Sequence, residues 1–226
     1  MANINDVKQV FTDIANATRS KTGSSADLKP TQMASAISGI VSLKDLFNEY
    51  KRTHTTWDYT FSSQDGSLLN SIDLRNLDFS TTGSSAPYAS PTKTRGMFQC
   101  FDFHLSNYTV PVFDTSRTTD AFLMFDNYLG GYPYLRIIPE FDFSNCTNLE
   151  GIFRNQSSLQ EIHCYGMKVR FDISASTLFT ESALVEILNN LATISTTQTL
   201  VMGTTNLNKL SADEQAIATN KGWTLA

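Results

Sequence analysis

The chain has 226 residues, 41% hydrophobic and 11% aromatic, enough apolar material for a folded core in one large domain or two small ones and too much for wholesale disorder. Charged residues make up only 17%, below the roughly 25% of ordinary soluble domains, so Ser, Thr and Asn must supply most of the polar surface. A net charge of −5 without a basic cluster argues against a nucleic-acid partner, and no stretch approaches the roughly 20 apolar residues of a membrane span. The first residues lack a charged segment followed by an apolar run, so neither a secretion address nor membrane insertion is expected.

From the N-terminus, Val7, Val10, Phe11, Ile14 and Ala17 recur at helical spacing as one apolar stripe that Gly23 ends. Pro30 opens a second one-sided helix through Met33, Ala36, Ile37 and Ile40. Residues 1–41 therefore read as a short helical hairpin. Two such helices cover each other only in part, and a unit of about 40 residues usually needs outside help to fold. Val7, Val10, Phe11, Ile14, Met33, Ile37 and Ile40 are accordingly the candidate assembly interface. Residues 42–66 read as a connector, helical or extended over 43–60.

Residues 67–179 carry a recurrent phrase: Asp78-Phe79-Ser80, Phe113-Asp114-Thr115-Ser116, Phe141-Asp142-Phe143-Ser144 and Phe171-Asp172-Ile173-Ser174. The final serines lie 36, 28 and 30 residues apart, and Met97-Phe98, Met124-Phe125 and Ile152-Phe153 keep the same register. A fixed period of this size predicts stacked repeats, each unit covering its apolar face with its neighbours. The Ser80 to Thr94 stretch, rich in Ser, Thr, Ala and Pro, reads as a surface insertion that lengthens the first spacing. An aspartate recurring once per repeat predicts one local task, accepting a backbone N–H at a turn. A row of hydrolytic carboxylates is the lesser alternative.

Residues 180–226 change period. Thr180 can cap a helix carrying Ala183, Leu184, Ile187, Leu188 and Leu191; Thr199 to Met202 is a short strand; Ser211 and Glu214 form a capping box for a further helix; Trp223 to Leu225 follows Gly222 as a last strand. An atypical terminal unit is what a repeat array needs to hide its last apolar face.

Cys100, Cys146 and Cys164 cannot all pair and show no CxxC spacing, so buried reduced thiols are expected. His54, His104 and His163 are not spaced with Cys or carboxylates as a metal site requires, and they read as surface or strand residues. The chain holds no GxSxG, P-loop or GxGxxG phrase; neither catalysis nor a cofactor is expected. Phe98, Phe101 and Phe103 read as alternating core. The sharpest binding candidate is Tyr128-Leu-Gly-Gly-Tyr132-Pro-Tyr134, where Tyr128, Tyr132 and Tyr134 offer rings with hydrogen-bonding tips and the glycines admit a ligand to the backbone. Saccharide stacking is one reading of these tyrosines; simple packing along the array is the other. Tyr88 is a weaker second candidate.

The Phe-Asp-x-Ser, Met-Phe and Ser-Leu steps, as in Ile152-Phe153-Arg-Asn-Gln-Ser-Ser-Leu159, resemble the BspA-like branch of leucine-rich repeats. Ile14 to Gly23 with Lys29 to Ile37 resembles an N-terminal segment of tail and baseplate proteins of phages of Gram-positive bacteria, and Ser182 to Leu191 with Asn206 to Leu210 and Ala216 to Leu225 is similar to the C-terminal segment of tail-fibre-like proteins. These resemblances imply an α/β chain: a short helical hairpin, an irregular leucine-rich-repeat-like solenoid and an α/β C-terminal cap. They imply a virion tail or baseplate protein made in the host cytoplasm, a tail fibre or receptor-binding protein contacting host cell-wall polysaccharide. Its expected partners are other virion proteins and further copies of itself, as a trimer or higher homo-oligomer. A non-adhesive virion adaptor is the alternative, and a cell-wall glycosidase a more distant one.

Overall fold

A computed structural model describes residues 43–62, 73–77, 79, 90–103, 106–128 and 134–226. The hairpin expected over 1–41, with all its candidate interface residues, lies outside these, as do His104, Tyr88, Tyr132 and most of the Ser80 to Thr94 stretch. The described residues form a mixed α/β structure with few helices and small parallel sheets.

Helix α1 (Leu43–Thr53) sets Phe47 edge-on to Trp57 and Phe61, at ring distances of 5.7 and 5.2 Å, and 4.8 Å from Phe79. The stretch read as a connector is thus partly core. Phe47, Trp57 and Phe61 each carry too much apolar area to remain in a solvated link.

Beyond α1, segments one period apart run parallel. Thr56 bridges Lys93, Lys93 bridges Asp120, and Asp120 bridges Asn148. Along the same edge the N–H groups of Phe61, Phe98 and Phe125 donate to the carbonyls of Met97, Met124 and Ile152 at 2.8, 2.8 and 3.0 Å. Parallel pairing in register lays like residues over like. Phe61, Phe98, Phe125 and Phe153 accordingly form a column, with rings 5.5, 5.7 and 5.9 Å apart and interplanar angles of 7°, 2° and 6°. The Met-Phe phrase therefore has an earlier member, Thr60-Phe61, hidden in sequence by its polar first residue. Two residues before each phenylalanine of this column the backbone is left-handed, at Tyr59, Gly96, Leu123 and Gly151.

A threonine edge accompanies the column. Thr92, Thr119 and Thr147 donate their N–H groups at 2.8, 2.9 and 2.9 Å to the carbonyls of Thr55, Thr92 and Thr119. Their hydroxyls reach the same carbonyls at 3.0, 3.1 and 3.1 Å. Both donors of each threonine are thereby satisfied by the segment below it.

A second aromatic row runs through Phe79, Phe113 and Phe141, at 5.7 and 4.9 Å. The aspartate after each later phenylalanine does one job. Asp114, Asp142 and Asp172 each accept, through Oδ1, the N–H of the residue two further on, Ser116, Ser144 and Ser174, at 2.8 Å every time. That is the turn-forming role expected of a once-per-repeat aspartate. On the neighbouring face Thr109 bridges Ile137, and β1 (Ile137–Ile138) pairs in parallel with β2 (Glu161–Ile162).

At the C-terminal end β3 (Phe171–Asp172) pairs with β4 (Gln198–Val201), and β4 with β5 (Trp223–Leu225), all parallel. Helix α2 (Glu181–Asn190) starts at Thr180, whose hydroxyl accepts the Ala183 N–H at 3.2 Å. Helix α4 (Ala212–Thr219) starts at the Ser211/Glu214 capping box. Between them lies α3 (Thr204–Leu207), a four-residue turn with no side-chain cap, which leaves no sequence signature. The boundary drawn at residue 180 divides one sheet, because β3 carries the last Phe-Asp phrase and Phe171 packs edge-on to Trp223 at 5.9 Å.

Candidate functional site

The tyrosine candidates divide. Tyr128 and Tyr134 are 63% and 42% exposed, and Tyr132 lies outside the described residues. The Tyr128 ring has the Arg154 guanidinium 5.8 Å from its centre. That cation is held in place: Arg154 Nε and Nη2 donate to the two Asp126 carboxylate oxygens at 2.9 and 2.8 Å, and Gln99 Nε2 donates to Asp126 at 2.7 Å. The Asp126 side chain is fully buried, where a carboxylate needs this many donors. Tyr128 is therefore a surface ring steadied by a cation of the following segment, which accounts for it structurally.

A groove of about 520 Å³ opens elsewhere, between the β1 and β2 segments and helix α2. The chain beyond β1 supplies Pro139 and Glu140 to its wall, and the chain beyond β2 supplies His163 and Tyr165. The period-2 alternation of extended backbone explains the second set: Ile162 and Cys164 point inward and are buried, while Glu161, His163 and Tyr165 face out. Helix α2 buries Ala183, Leu184, Ile187 and Leu188, which leaves Glu186 and Asn190 to line the groove. The helix end is tied down where the Gly166 N–H donates to the Asn190 carbonyl at 2.9 Å.

His163 sits between two carboxylates. Its Nδ1 lies 2.7 Å from Glu186 Oε1, and its Nε2 lies 3.0 Å from Glu161 Oε2. The Glu186 hydrogen bond above all, and then Glu161, raises the imidazole pKa above its ordinary value. The Tyr165 phenol is also raised, first by desolvation and then by Asp142 and Glu140. Glu140 and Glu186 line the groove with His163 as its one basic lining residue, so the lining is acidic. Tyr165 is 39% exposed and presents a ring beside fixed carboxylate and amide acceptors. A ligand that both stacks and donates hydrogen bonds fits that chemistry.

The sequence reading had His163 as a surface or strand residue and passed over the groove. The signal available was the alternation Glu161, His163, Tyr165 around an inward Ile162 and Cys164; the contribution of α2 was not legible, since it depends on how the helix docks. Cys100, Cys146 and Cys164 are buried thiols outside any disulfide, and burial pushes the Cys146 and Cys164 thiols up, away from reactive thiolate. Among the described residues no group of three or more His, Cys, Asp and Glu is arranged to hold a metal ion, and no helix is long and apolar enough to cross a membrane. No family model, curated protein or solved structure matches the chain.

Proposed function

We propose that this chain is a structural component of a phage tail or baseplate, a tail-fibre or receptor-binding protein whose leucine-rich-repeat-like solenoid contacts saccharide on the surface of a Gram-positive host. Three things support the solenoid reading: the parallel bridges from Thr56 through Lys93 and Asp120 to Asn148, the phenylalanine column, and the aspartate turns. The virion assignment rests on the phrases at both ends of the chain. The observation that carries the adhesive duty is the open acidic groove with Tyr165 on its wall. An extended parallel stack offers long side faces for recognition.

The test is co-sedimentation of the full chain with purified Gram-positive cell walls, before and after removal of their non-peptidoglycan polysaccharides. The expected result is binding that disappears with the polysaccharide. The adaptor reading draws on Val112 and Leu178, apolar side chains 64% and 52% exposed, which suit contact with a neighbouring virion protein. Absence of wall binding, with stable capture of the chain by other tail proteins, favours that reading.

A further inference from the structure

We propose that the groove beside Tyr165 is a saccharide subsite selective for a hexosamine unit carrying a free ammonium group. The inference rests on the reading of the chain as a saccharide-binding module and names the sugar. Its volume of about 520 Å³ falls within the range of roughly 300–1,000 Å³ typical of small-ligand sites. Tyr165 stands partly exposed on the wall, giving a ring face for the C–H face of a pyranose, while Asn190, also lining the groove, supplies an amide that both donates and accepts.

Charge then selects among sugars. The basic group of the groove, His163, is already engaged on both ring nitrogens, by Glu186 and Glu161, so it has no donor left for an acidic ligand. Glu140 is exposed at the wall and, with Asp142, bears on the Tyr165 phenol from nearby. A uronic acid or a phosphorylated sugar meets the Glu140 carboxylate as a like charge; an ammonium at the Tyr165 end meets it as an opposite one, with Asp142 close to the phenol. Unlike Tyr128, whose ring already faces Arg154, Tyr165 has an anionic surround suited to a cationic sugar.

The experiment is calorimetric titration of the full chain at pH 6 with β-1,4-linked glucosamine disaccharide, its N-acetylated counterpart and a uronic-acid disaccharide. The expected result is saturable binding of the amine form about fivefold to tenfold tighter than the acetylated form, with no uptake of the acid. Tyr165→Ala should abolish binding, and Glu140→Gln should remove the preference for amine, in variants whose thermal unfolding matches the parent. Equal affinity for amine and acetylated sugars, binding indifferent to Tyr165→Ala, or no saturable binding would each overturn the proposal. Wall binding that survives Tyr165→Ala overturns the groove assignment and leaves the surface-binding reading standing. Normal hexosamine titration by a chain that ignores cell walls does the reverse.

Discussion

The ring of Tyr59 occupies the space that a side chain at Gly96 would need: a Cβ there would stand 2.3 Å from Tyr59 Cε1 and 2.5 Å from Cδ1. The two residues are equivalent positions of successive segments, and both are left-handed, with φ of 55° and 53°. The same relation recurs two segments on, where Leu123 covers Gly151 with Cδ2 2.5 Å from the missing Cβ. Bulky and bare residues thus alternate along this line of parallel segments, because adjacent segments lie too close for two side chains in succession.

Gly96→Ala is expected to lower unfolding free energy by about 2–4 kcal/mol, combining the left-handed cost of an L residue with overpacking. In urea denaturation, the double variant Tyr59→Ala/Gly96→Ala should lose less than the sum of the single losses by more than about 0.5 kcal/mol, the usual limit of additivity for independent sites. Strictly additive losses would show that the ring is not the obstacle.

Phe125 sits inside the column, with Phe98 and Phe153 stacked on either side of it. Phe125→Ala should cost about 3–5 kcal/mol as a buried aromatic deletion, whereas Tyr128→Ala, three residues away but exposed, should stay within about 0.5 kcal/mol. Comparable denaturation midpoints for the two variants would contradict the column.

Arg154→Met strands the Asp126 carboxylate with Gln99 as its remaining side-chain donor. The expected loss is about 3 kcal/mol, the low end for a broken buried pair, since Arg154 is itself half-exposed. Adding Asp126→Asn to that variant should recover part of the loss; a further drop in thermal midpoint would mean the carboxylate is not the group at fault.

His163 gives stability a pH dependence of definite sign. Its folded pKa is raised above 6.5 by Glu186 and Glu161, so the folded protein holds the proton more tightly than the unfolded chain does. The contribution is complete below about pH 6.5, the unfolded value, and is lost as pH rises through the folded value. The thermal midpoint of the parent should therefore exceed that of His163→Gln most at pH 5.5, and the gap should close toward pH 8.5. A gap that widened with pH would reverse the assignment.

Sequence reading reached the mixed α/β character, the helix caps and the aspartate turns, and its failures have physical causes. Thr180 and the Ser211/Glu214 pair were legible because caps are local hydrogen bonds between residues three apart. Asp114, Asp142 and Asp172 were legible because each acts on a backbone N–H two residues on. Phe61 was missed as a member of the column because its neighbour Thr60 breaks the apolar pair, and only the parallel register with Met97-Phe98 reveals the equivalence. The sheet shared across residue 180 was missed because strand pairing between Phe171 and Leu200 leaves no mark at either position. The groove needed Glu186 brought to His163 from α2, a tertiary fact that no spacing encodes. Tyr128 was favoured instead because clustered Tyr and Gly are conspicuous in sequence, whereas the Arg154 guanidinium 5.8 Å from its ring centre is not.

The most direct test is an amide chemical-shift map of isotope-labelled full-length chain titrated with soluble cell-wall polysaccharide fragments from a Gram-positive host. Saturable shifts concentrated at residues 137–140, 161–166 and 186–190 are expected, with those at 126–128 and 154 unmoved. Shifts confined to the Tyr128 region, or none anywhere at saturating polysaccharide, would contradict it.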